Sequence, residues 1–182
     1  MRESNKSANF KEKLKQALLS TFKVISDDFK KDDKSEKNKV SSTFDFVEFD
    51  NIKTKNDFIK ARAESDSFAL KKKFSNENIY KKNLPLNSSC KSLYSTAEKI
   101  RCESLGGKML KGIEKNFTEN YNQIISFKKE NHPKSKEDVP INEAFELYML
   151  NKFHNIKLTP STIKILSYWK NDFDKSIEKH IE

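Results

Sequence analysis

Lysine is the default cation of this sequence, so its three arginines, Arg2, Arg62 and Arg101, stand out. Two of them lie beside carboxyl groups at helical spacing. Arg62 precedes Asp66 by four residues; Glu98 precedes Arg101 by three, and Glu103 follows at once. Residues three or four apart share a helix face. A planar guanidinium can hold a carboxylate with two parallel hydrogen bonds, which an ammonium cannot. Two arrangements fit. In one, Arg62 and Arg101 anchor a buried or interfacial polar network joining two helices, with Glu98 or Glu103 as partner to Arg101. In the other, they form two ordinary surface pairs, each worth about 0.2–0.5 kcal/mol. Gly106 and Gly107 come next, and all three glycines of the chain, these two and Gly112, fall in this one stretch. Glycine is enriched just past helix ends, where it takes the left-handed conformation at little cost. The pair therefore reads as a chain reversal after a helix ending near Leu105.

Other chemistries find few residues to use. There is no G-x-x-x-x-G-K-[ST] loop to cradle phosphates, and no H-E-x-x-H, G-x-S-x-G or glycine-rich dinucleotide fingerprint. His132, His154 and His180 lie far apart in polar, loop-like or terminal stretches and read as solvated. Cys90 and Cys102 are not in a C-x-x-C pair and have no histidine nearby in sequence, which argues against zinc. Two cysteines are also too few for a disulfide framework and suit a reducing cytoplasm. The chain is expected to carry no catalytic, cofactor-binding or metal-binding residues of its own.

The formal net charge of +9 invites a nucleic-acid reading. The lysines are interspersed with acidic residues, as on solvated helix faces, and Asn, Ile and Phe are frequent while Gly and Pro are scarce. That is a drift of composition rather than a clustered phosphate-binding stripe. A basic helical nucleic-acid binder or adaptor remains the alternative, and it requires binding that weakens linearly with log salt. No apolar run approaches the roughly 20 residues of a membrane span, and the N-terminus has no signal-peptide core.

The elements that position these residues are helices. Phe10, Leu14, Ala17, Leu18, Phe22, Ile25 and Phe29 recur at three- and four-residue steps, which predicts an amphipathic helix over 8–29. A polar linker covers 30–55, with room for one short strand at 43–49 (TFDFVEF). Further helices are expected over 56–74 and from about 88 to 105. The next is predicted at 113–127, with Phe117, Tyr121, Ile124 and Ile125 on its inner face. Two more follow, at 140–153 and from Thr159-Pro160 onward. Ile165, Trp169, Phe173 and Ile177 mark the last at four-residue steps. The expected fold is mainly α, five to six helices, with the helical domain spanning 56–182.

The stretch Ala97-Glu98-Lys99-Ile100-Arg101-Cys102-Glu103-Ser104-Leu105-Gly106-Gly107-Lys108-Met109-Leu110-Lys111-Gly112-Ile113 resembles the core motif of the CobT-type subunit of ATP-dependent cobaltochelatase. That family has an acidic residue, then Arg-x-Glu-Ala-Leu-Gly, a basic residue, Met and a small-residue turn. Arg62-Ala63-Glu64-Ser65-Asp66-Ser67-Phe68-Ala69-Leu70 is similar to its Arg-Gly-x-x-Asp-x-x-Ala-Leu helix. The segments Phe10 to Thr21 and Ile165 to Trp169 agree in order. Ala63 stands where the family has Gly, Ser104 where it has Ala, and Lys72-Lys73-Phe74 where it is rich in His. The resemblance implies a part of a machine that inserts cobalt into hydrogenobyrinic acid a,c-diamide during cobalamin synthesis. ATP and Mg are used by the complex. The implied partners are a ring-forming AAA+ ATPase subunit and a large tetrapyrrole-binding subunit. The family's von Willebrand A-type domain carries an Asp-x-Ser-x-Ser metal site; no such motif occurs here, and Asp66-Ser67-Phe68 is not one. The expectation is a non-catalytic, cytoplasmic interaction module equivalent to the N-terminal region. Within it, residues 93–113 form the most constrained surface, as packing hub or as docking site.

Overall fold

In the computed structural model, residues 2–27, 52–128 and 133–177 are described. They are mainly helical and fall into two compact units, residues 1–75 and 76–182. The expected strand at 43–49 and the end of the first helix at Phe29 lie outside the described residues. Among those described, no helix is long and apolar enough to cross a membrane.

The first unit pairs two helices, α1 (Arg2–Ile25) and α2 (Lys55–Phe74). Leu14, Leu18, Phe22 and Ile25 follow the predicted stripe and are buried, whereas Phe10 and Ala17 face solvent. The start of α2 is fixed by a reciprocal cap. Thr54 Oγ1 accepts from the Asp57 amide at 3.2 Å, and Asp57 Oδ2 accepts from the Thr54 amide at 2.8 Å. Those hydrogen bonds hold the Asp57 carboxyl below its ordinary range, led by the one from the Lys53 amide. At the far end Lys73 Nζ reaches Asp27 at 2.8 Å, and Phe22 stacks on Phe68 with ring centroids 6.0 Å apart.

The second unit holds α3 (Glu77–Lys82), α4 (Ser88–Met109), α5 (Lys111–Phe127), α6 (Ile141–His154), α7 (Pro160–Ser167) and α8 (Lys170–Ile177). Asn76, Asn87 and Thr159 cap α3, α4 and α7 with their side-chain oxygens. The core is built around α4 and α6. Helix α6 packs against α4, α5, α7 and α8 and buries Ala144, Phe145, Leu147, Tyr148, Met149 and Leu150 around most of its circumference. A helix apolar on nearly every side belongs in the interior.

Two expectations are corrected. The helix expected to end near Leu105 runs on through Gly106 and Gly107 to Met109, and no glycine has positive φ. The reversal is made by one residue, Leu110, in extended conformation (φ −135°, ψ 105°) between α4 and α5. Gly106 and Gly107 are instead buried residues of α4. A Cβ on Gly107 would sit 3.4 Å from Glu114 Cβ, an ordinary van der Waals contact, so the first turn of α5 packs against this position. The last expected helix is also two, broken at Tyr168 and Trp169. Both rings spend their polar ends on the loop before α6: Tyr168 OH donates to the Pro133 carbonyl at 2.9 Å and Trp169 Nε1 to the Val139 carbonyl at 3.1 Å.

Candidate functional site

Helix α4 presents its polar residues in two directions. Glu98 and Arg101, three apart, meet at the surface. Arg101 Nε donates to Glu98 Oε2 at 2.7 Å, and its Nη2 to Glu98 Oε1 at 2.9 Å. This is the two-pronged pairing that favours Arg over Lys. The hydrogen bond to Glu98 raises the Arg101 guanidinium above its ordinary range. Arg101 is half exposed, so water screens the pair, and the contribution to stability belongs with surface bridges, about 0–1 kcal/mol. The buried Cys102 thiol lies alongside, 3.7 Å from Arg101 Nη2.

Glu103 points the other way. Two residues along a helix turn the side chain by about 200°, given 3.6 residues per turn, and Glu103 is buried in the junction of three helices. Tyr121 on α5 donates its hydroxyl to Glu103 Oε2 at 2.6 Å. His154, the last residue of α6, brings Nε2 to 3.5 Å from the same oxygen. The rings of Tyr121 and His154 lie 5.5 Å apart, and Phe117 closes the other side at 5.8 Å from His154. Lys99 Nζ stands 5.5 Å from the centre of the Tyr121 ring. Burial, with Glu103 beside it, pushes the Tyr121 phenol far above its ordinary range. It therefore stays protonated and keeps donating.

His154 thus departs from the solvated reading. Its side chain is only 4% exposed. The signal was in the sequence: His154 falls seven residues after Leu147 and four after Leu150, on the face α6 turns inward. His132 and His180 lie outside the described residues. Tyr121 was legible as an inward residue, but not as the donor to Glu103.

Arg62 and Asp66 belong to the first unit. Asp66 is buried on α2, whereas Arg62 faces solvent, and no ion pair joins the two among the described residues. Glu98, Arg101, Glu103, Gly106 and Gly107 belong to the second unit, where the structure brings them together along one helix with α5 packed on its end.

The arrangement couples helices. An open cleft of about 450 Å³ in this unit is lined by residues that include Pro133, Asp138, Pro140 and Glu143. Glu143 is in the first turn of α6 and His154 in its last, roughly 16 Å away at 1.5 Å per residue. Among the described residues, no group of three or more His, Cys, Asp and Glu is placed to hold a metal ion.

Against known families, a model described as "Cobalamin biosynthesis protein CobT" matches residues 8–182. The chain belongs to the CobT family. No curated protein and no solved structure matches it. The match places the polar cluster of α4 and the capped helix α2 within one CobT domain that spans almost the whole chain. Membership sets the CobT chain in the context of the cobaltochelatase complex, consistent with a subunit that is not itself the catalyst.

The Glu103 cluster makes a test of its own. A group whose folded pKa is raised, as that of Tyr121 is, adds stability that is fully present below its unfolded value, 10.0, and is lost as pH rises toward the folded value. The stability difference between the wild type and Tyr121→Phe should therefore be constant from pH 7 to 9 and shrink above pH 10. Urea titrations of both proteins at each pH, followed by the single tryptophan, Trp169, measure it. A difference that grows above pH 10 would show that the phenol is not held protonated by its surroundings.

Proposed function

We propose that this chain is a helical docking part of cobaltochelatase, and that it works by engaging the other subunits of that assembly. Its immediate partner is the AAA+ ATPase subunit, and through it the large subunit that holds hydrogenobyrinic acid a,c-diamide. ATP, Mg and cobalt are handled by those subunits. The observation that carries this reading is the family match over residues 8–182. Its support within the fold is the use made of the reactive side chains. Glu103, Tyr121 and His154 face one another inside a three-helix junction, where they fix helix positions. Residues 93–113 then serve as hub on the inside and as contact surface on the outside.

The test is a pull-down of residues 1–182 with the ATPase subunit from the same genome, in the presence of ATP, followed by sizing of the complex. Co-elution at a defined stoichiometry is expected. A chain that is folded by circular dichroism yet elutes alone overturns the proposal. A gel-shift at two salt concentrations separates it from the nucleic-acid binder, which alone requires retardation at low salt.

A further inference from the structure

The corner between α4 and α5 breaks three local rules within four residues. Met109 and Leu110 are 55% and 48% exposed, large apolar side chains side by side at a turn. Leu110 is also the residue before α5, the position where Ser, Thr, Asp or Asn accepts a backbone hydrogen bond, and it makes no such cap. Asn76, Asn87 and Thr159 do so at three other helix starts of this unit. Gly112 then sits in the first turn of α5. Its φ is not positive, and a Cβ built on it would meet nothing within 4 Å. Glycine weakens a helix, and here neither backbone conformation nor crowding within the chain requires it. Gly107, by contrast, is buried, and a Cβ there would meet Glu114 at ordinary contact distance. Breaches of local sequence logic that bring no gain inside the fold mark places shaped by something outside it.

We infer that residues 108–112 form a docking knuckle for a protein partner, and that Met109 and Leu110 enter an apolar pocket rimmed by carboxylates. Charge selects that rim. Lys108 and Lys111 flank the apolar pair, both exposed and neither in an ion pair among the described residues. The nearest opposing charge in sequence, Glu114, lies on the side of α5 that meets Gly107. Gly112 supplies the bare backbone that lets the pocket wall close over the turn. The knuckle is held stiffly, since α4 and α5 pack together directly and a single residue links them. A rigid apolar anchor loses little freedom on binding. The inward face of residues 98–107 is thus the packing hub, and the outward tip of residues 108–112 is the docking site.

This inference rests on the reading that the chain docks to the ATPase subunit, so that subunit, loaded with ATP, is the probe. Affinity is measured by interferometry for the wild type, Met109→Ser/Leu110→Ser, Gly112→Leu, and Ile163→Ser as an exposed apolar control on α7. The double variant and Gly112→Leu should each bind at least tenfold more weakly, and Ile163→Ser within twofold of the wild type. Gly112→Leu should melt no lower than the wild type, because leucine is the better helix former; its loss of binding then cannot be a loss of fold. Lys108→Glu/Lys111→Glu should slow association and flatten its salt dependence. If the wild type binds and both knuckle variants bind within twofold of it, the knuckle is refuted and the docking role stands. If the wild type does not bind, both fall. Sedimentation of the wild type, but not the double variant, with vesicles of 30% phosphatidylserine would also overturn the inference, by making the tip a membrane contact.

Discussion

Glu103→Ala should destabilise the second unit by about 3 kcal/mol, with the loss confined to the junction of α4, α5 and α6. The figure sums two effects. Removing a buried hydrogen-bond partner costs on the order of 1–3 kcal/mol for the group left behind, and deleting a methylene and a carboxyl group from a close-packed site adds a cavity term of similar size. Tyr121 loses the acceptor that holds its hydroxyl at 2.6 Å, and His154 loses the carboxylate oxygen 3.5 Å from Nε2. Glu103→Gln separates the two effects. It keeps the volume and an acceptor for the Tyr121 hydroxyl, so it should cost about half as much. Urea unfolding followed by Trp169 gives both values, and hydrogen exchange locates the loss. Equal costs for Ala and Gln would mean that the carboxyl group matters for its charge alone. A cost below about 0.5 kcal/mol for Ala would place Glu103 among surface positions and remove the cluster as the hub of the fold.

The parts of the fold that were legible in the sequence are those set by local chemistry. Helix starts with a side-chain acceptor, such as Thr159 ahead of Pro160, are written in three or four residues, and the structure places them there. The stripe Leu14, Leu18, Phe22 and Ile25 was legible because one side of α1 meets one partner. What periodicity cannot give is how many partners a helix has. Helix α6 meets four, so its apolar residues lose their one-sided pattern and a polar residue at its end, His154, goes inside. The glycines misled for a related reason. Gly106-Gly107 has the composition of a helix stop, yet both residues lie buried within α4, with Gly107 against the first turn of α5. Only the tertiary contact distinguishes the two uses.

The candidate site was half legible. Glu98 with Arg101 could be read as a pair from a spacing of three and the rarity of arginine in this chain. The partners of Glu103 could not. Tyr121 is 18 residues on and His154 is 51, and each arrives from a different helix. Arg62 and Asp66 had the right spacing for a pair, but on α2 Arg62 is exposed and Asp66 buried. A spacing of four brings two Cβ atoms onto one face; which rotamer wins is decided by what else that face touches.

The same reasoning gives the largest stability contrast on one helix. Phe117 and Phe127 both lie on α5, ten residues apart, and are chemically identical. Phe117 is 1% exposed and Phe127 is 68% exposed. Phe127 is the last residue of the helix and lies past the end of the buried face formed by Ile113, Asn116, Phe117, Asn120, Tyr121 and Ile125. Phe117→Ala should cost about 3–5 kcal/mol, since the ring fills the space beside His154 and Tyr121 and the walls relax only in part. Phe127→Ala should change stability by less than about 0.5 kcal/mol. Parallel urea titrations of the two variants decide the matter. Equal costs would mean that α5 is not seated on α4 through the Phe117 face, and the junction that positions Glu103, and with it the rigid corner at Leu110, would have to be rebuilt from a different packing of α5.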